Sequence, residues 1–65
     1  MKKWYAVQHG DNYEWDNGSS IKREAIKMAN VIKRNHEFDG KEIRIAIIEN
    51  DTCVDEIIIR EGTRA

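Results

Sequence analysis

The chain has 65 residues, with 11 Lys and Arg against 12 Asp and Glu, no proline and a single cysteine, Cys53. That length makes one small domain over residues 1–65, able to bury only about 60% of its unfolded surface, and a lone thiol excludes an intramolecular disulfide and a stapled secreted scaffold. A net charge of −1 excludes the bulk basic character of a general nucleic-acid binder, and no apolar run reaches the roughly 20 residues of a membrane span, so a soluble cytoplasmic protein without membrane association is expected.

The first element is a strand, Lys3 to His9, rich in aromatic and β-branched residues. Gly10-Asp11 then reads as a two-residue turn leading into a second strand, Asn12 to Asp16. Pairing His9 with Asn12 sets Ala6 opposite Trp15 and Gln8 opposite Tyr13. Trp4, Ala6, Tyr13 and Trp15 then share one face, and Tyr5 and Val7 the other.

Asn17-Gly18-Ser19-Ser20 is turn chemistry, with Ser19 or Ser20 able to cap a helix running from Ile21 to Asn35. At 100° per residue Ala25, Met28 and Ile32 fall near Ile21, flanked by Ala29 and Val31, which is a one-sided apolar stripe. The opposite face carries Arg23, Lys27 and Arg34, and Lys22, Arg23, Lys27, Lys33 and Arg34 against Glu24 give 5 − 1 = +4. After Asn35 the run His36 to Gly40 ends the helix, with Phe38 expected as an apolar plug.

Glu42 to Glu49 alternates Ile43, Ile45 and Ile47 against Arg44, Ala46 and Ile48, and Val54 to Arg60 forms the last strand. Side-chain parity requires an odd loop if Ile57 and Ile59 are to join Ile43, Ile45 and Ile47 on one face. Asn50-Asp51-Thr52 supplies it, pairing Glu49 with Cys53, Ile45 with Ile57, Ile43 with Ile59 and Glu42 with Arg60. The expected fold is α+β: β-β-α-β-β, a mostly antiparallel four-stranded sheet in the order 2-1-3-4 with one helix on the isoleucine face.

One helix covers one face only, leaving Trp4, Ala6, Tyr13, Trp15, Ala46, Ile48, Val54 and Ile58 on a second face too apolar to stand in water. Trp4, Tyr13, Trp15, Ile48 and Ile58 are therefore the candidate partner-binding residues. The expected function is that of a non-enzymatic interaction or regulatory protein that self-associates or binds a protein partner. The alternative is a nucleic-acid-binding module acting through Arg23, Lys27 and Arg34. Single-strand binders interleave rings and cations on one surface, whereas here the two lie on opposite sides, which favours the interaction protein.

No catalytic constellation emerges. His9-Gly10-Asp11 reads as a solvated histidine beside a turn, and Cys53 as a small, partly buried residue without a basic neighbour to activate it. His9, His36 and Cys53 lack the clustered spacing of a structural zinc site, and the four glycines are isolated turn residues rather than a phosphate cradle. No cofactor and no metal are expected. The passage from a hairpin through a serine-rich turn into Ile21-Lys22-Arg23-Glu24-Ala25-Ile26 resembles small antitoxin-type domains with an "EA"-containing helix, but that family's glycine and cysteine pattern after the second strand is missing. No residue role is carried over from it.

Overall fold

A computed structural model describes residues 3–62. The elements are β1 (Lys3–His9), β2 (Gly18–Ser19), α1 (Lys22–Asn35), β3 (Ile43–Glu49) and β4 (Thr52–Arg60). The four strands form one antiparallel sheet in the order β2-β1-β3-β4, and α1 packs on one face of it. The fold class and the strand order, the latter expected from a right-handed crossover, are as anticipated.

The helix-side core is built by alternation. Val7 of β1 and Ile43 and Ile45 of β3 are fully or almost fully buried against Ala25 and Ala29 of α1, with Tyr5, Ile26, Met28, Ile32, Ile57 and Ile59 closing the margins. Two alanines at the centre of the helix stripe let its backbone approach the sheet closely. The stripe is consequently rotated from the expected one: Ile26 turns inward, while Ile21 and Val31 stay exposed. Ile21 has an extended backbone (φ −109°, ψ 118°) and is the residue before the first helical turn, so the helix begins at Lys22. Ser19 does not cap the helix; its Oγ accepts the Ile21 N–H at 3.0 Å and so shapes the chain into it.

β3 and β4 meet in the expected central register, Ile45 opposite Ile57, but the connection differs. Asn50 and Asp51 both take positive φ, 51° and 59°, which permits a two-residue turn whose twist matches the strands. Glu49 then faces Thr52 and Ile48 faces Cys53, and a bulge before the Ile47–Asp55 pair restores the parity that a three-residue loop was expected to supply. A second irregularity sets Ile43 opposite Arg60 rather than Ile59.

The second strand is the principal correction. The His9–Asn12 bridge forms, yet residues 12–16 do not continue as a strand; β2 is the two-residue Gly18–Ser19, with Ala6 opposite Gly18 and Tyr5 opposite Ser19. Gly18 explains the late pairing, because a Cβ there would lie 2.1 Å from the Tyr5 carbonyl oxygen. Only glycine allows the chain to come this close to β1. Phe38 is also corrected: it is 94% exposed and plugs nothing.

Candidate functional site

Cross-strand pairing places three rows on the face away from the helix. Trp4, Ile48 and Cys53 form one row, Ala6, Ala46 and Glu56 the next, and Gln8, Arg44 and Ile58 the third. Ala6, Ala46 and Ile48 are buried there, with Trp4 packed against them. Residues 11–17, freed from strand pairing, supply part of the cover. Trp4 Nε1 donates to the Trp15 carbonyl at 2.7 Å, Gln8 Nε2 donates to the Tyr13 carbonyl at 2.9 Å, and Val7 N–H reaches the Asn17 carbonyl at 2.7 Å.

Arg44 is the anchor of this arrangement, and sequence reading missed it. Its side chain is 2% exposed although it is the second residue of the most apolar strand. The guanidinium donates to Gln8 Oε1 at 3.1 Å, to Glu42 Oε2 at 2.9 Å and to the Gly10 carbonyl at 2.8 Å, and the Tyr13 ring lies over it at 4.1 Å. A second carboxylate, Glu56, is 3.7 Å away. The forked, planar guanidinium suits such multiple donation and ring stacking in a way an ammonium does not. The sequence offers only a weak signal, an arginine inside an isoleucine-rich strand; that it meets Gln8 follows from the β1–β3 register, which pairs the two.

A shallow pocket of about 390 Å³ opens beside this network, lined by Gly10, Asp11, Tyr13, Lys41, Glu42 and Arg44 among others. Because each guanidinium nitrogen already donates to a protein oxygen and two carboxylates border the space, the pocket is a poor receptor for an anion.

The candidate partner-binding residues separate into two groups. Ile48 is buried in the chain's own cluster and offers no free surface, whereas Trp4 packs against that cluster and is only partly buried. Tyr13 is 64% exposed and Ile58 45% exposed, with Trp15 exposed on the covering loop and Val54 on β4. β4 is the sheet's edge, bonded to β3 on one side. What stays open is thus β4 and the rim of this face, because the loop reaches across β1 and, through Tyr13, over Arg44 of β3.

On the other side of the molecule Arg23, Lys27 and Arg34 are all exposed, as are Lys22 and Lys33. None of these five cations forms an ion pair among the described residues. Among the described residues the basic helix face is therefore un-neutralised, as its spacing indicates.

The histidines are also rearranged relative to expectation. His9 is not the solvated histidine expected; its ring faces Asp39. His9 Nε2 lies 2.9 Å from Asp39 Oδ2, and His36 Nδ1 lies 3.3 Å from the same oxygen. Cys53 sits elsewhere, at the β3–β4 turn, exposed rather than partly buried. The Asp39 carboxyl is held below the ordinary carboxylate range, first by the Lys41 backbone N–H and then by the charges of His9 and Arg60, against an opposing desolvation effect. No helix among the described residues is long and apolar enough to cross a membrane. Compared with protein-family models, curated proteins and solved structures, the chain matches none of them.

Proposed function

We propose that this chain is a non-enzymatic protein-interaction module that self-associates through the β4 edge and the open rim of the sheet face away from the helix. The carrying observation is that, among the described residues, the nine-residue edge strand β4 has one side unbonded to any other strand and presents Val54 and Ile58 to solvent beside it. A long edge with apolar flanks is a template for strand addition. A second copy of the chain suits it because an antiparallel β4–β4 pairing centred on Ile57 sets Glu56 against Ile58 and Asp55 against Ile59. No acid then faces an acid, whereas centring on Glu56 would oppose two carboxylates. The charged residues of the edge so select a register. An exposed free thiol at Cys53 suits a reducing cytoplasm.

The test is molar mass in solution against concentration. Self-association with loss of dimer in Ile58→Glu and Val54→Lys supports the reading; these side chains are exposed in the single chain, so both variants should keep the wild-type circular dichroism. A wild-type chain that stays monomeric at hundreds of micromolar overturns it.

A second reading, nucleic-acid binding by the helix, is favoured by one observation, the five un-neutralised cations of α1. Arg23, Lys27 and Arg34 would then contact phosphates, and affinity for short duplexes or single strands would fall steeply with salt. Lys27→Glu would abolish it. Absence of binding at low salt closes this reading.

A further inference from the structure

We propose that His9, His36 and Asp39 form a three-ligand site for a divalent transition-metal cation of the zinc type. The fold brings these residues together from the end of β1, the C-terminal cap of α1 and the loop that follows it. One ligand atom from each lies within 4.8 Å of the other two. Zinc bonded at roughly 2.0–2.1 Å to tetrahedral nitrogen and oxygen ligands separates them by about 3.3 Å. The two ligand–ligand distances to Asp39 Oδ2 are 2.9 and 3.3 Å, already on that scale. His36 is half exposed, its ring 4.4 Å from that of His9, so a rotation of its side chain suffices to set the remaining edge.

Three further features point to a ligand. His9 Nε2 is buried and, although close to the carboxylate, has no hydrogen-bond partner in proper geometry; its lone pair would be satisfied by a metal bond. Asp39 is oriented by an outer set of donors, since its Oδ1 accepts the Lys41 N–H at 2.9 Å and an Arg60 N–H at 2.8 Å. That leaves Oδ2 to face the two imidazoles, the arrangement in which a supporting shell fixes a ligand carboxylate. Arg60 also donates to the His36 and Lys41 carbonyls at 2.9 and 2.7 Å, tying both ends of the ligand loop to β4. Finally, the site lies at the carbonyl end of α1, where the helix dipole favours a cation. Two imidazoles and one carboxylate suit borderline cations such as zinc rather than calcium or magnesium, and leave at least one coordination position open.

The experiment is calorimetric titration of zinc chloride into the untagged full chain after treatment with a chelator. The site predicts one zinc per chain, retained in Cys53→Ser and weakened at least tenfold in His36→Ala. His36 is half exposed, so that variant should keep its circular dichroism. His9→Gln, if folded, should weaken binding to the same degree. Cobalt(II) in place of zinc should shift in its visible absorption on binding wild type and not His36→Ala. No binding up to millimolar zinc overturns the proposal. So does equal affinity in wild type and His36→Ala, or binding that disappears in Cys53→Ser.

Discussion

Replacing Arg44 by alanine removes the side chain that fastens residues 10–13 to the sheet. The guanidinium serves Gln8 Oε1, the Gly10 carbonyl and Glu42 at 2.8–3.1 Å while the Tyr13 ring covers it. Loss of one partner from a buried charged network costs about 3–5 kcal/mol. Glu42 and Glu56 are 38% and 50% exposed and regain water, so the cost falls at the lower end and arises mainly from Gln8 and the Gly10 carbonyl, each about 1–3 kcal/mol if left unsatisfied. A domain of this length has roughly 3–10 kcal/mol to lose. Arg44→Ala should therefore sit close to unfolding at room temperature. Arg44→Lys should recover little, because an ammonium cannot serve the divergent acceptors. The double variant Arg44→Met/Gln8→Leu should recover only the share owed to Gln8, since the Gly10 carbonyl still lacks its donor and the Tyr13 carbonyl loses the one Gln8 gave it. Urea denaturation followed by tryptophan fluorescence measures all three. A loss under about 1 kcal/mol in Arg44→Ala would refute the anchoring role.

Four other outcomes are expected. Ile45→Ala should cost about 2–5 kcal/mol, because Ile45 is fully buried between β1, β4 and α1; Ile58→Ala should be milder in the single chain and act on association, and thermal melts compare the two. Gly18→Ala should cost about 1–3 kcal/mol or more, since its Cβ collides with backbone rather than a movable side chain; a melt unchanged from wild type contradicts the account of β2. Phe38→Ala should change stability by less than about 0.5 kcal/mol, as an exposed ring with nothing to pack on. Asp39 titrates below the ordinary carboxylate value of 3.8 in the folded chain, so its stabilising contribution is complete above that value and is lost as pH falls through the lower folded one. Asp39→Asn should accordingly reduce the loss of stability on acidification below about pH 4, an effect that added salt diminishes because the carboxylate is partly exposed; identical acid profiles would contradict it.

The isoleucines explain why so much of the fold was legible. Ile43 and Ile45, alternating with Arg44 and Ala46, identify a strand and its buried face from period alone; Ile57 meets Ile45 as expected, though through a two-residue turn and a bulge rather than the three-residue loop the parity argument assumed. Where backbone proximity rather than side-chain pattern decides, the sequence signal is weak. Tyr13 and Trp15 alternate like strand residues, yet the closest approach to β1 is made by Gly18, whose missing side chain leaves no hydrophobic mark. Ile21 and Val31 fit the helical stripe within its angular tolerance, but the contact is centred on Ala25 and Ala29, which turns both outward. The candidate interface shows the same division. Ile58 is accessible as alternation indicates, while Ile48 is buried in a cluster with Ala6, Ala46 and the packed Trp4 ring. The histidine cluster had no local signature, since His9 and His36 meet only after the sheet has placed the end of β1 against the end of α1.

Sedimentation velocity of the untagged chain from low to several hundred micromolar tests self-association through β4 most directly. The account predicts a concentration-dependent species of twice the 7.6 kDa chain mass, absent in Ile58→Glu while that variant keeps its fold. A wild-type boundary at the single-chain mass over the whole range, or a dimer that persists unchanged in Ile58→Glu and Val54→Lys, would contradict it.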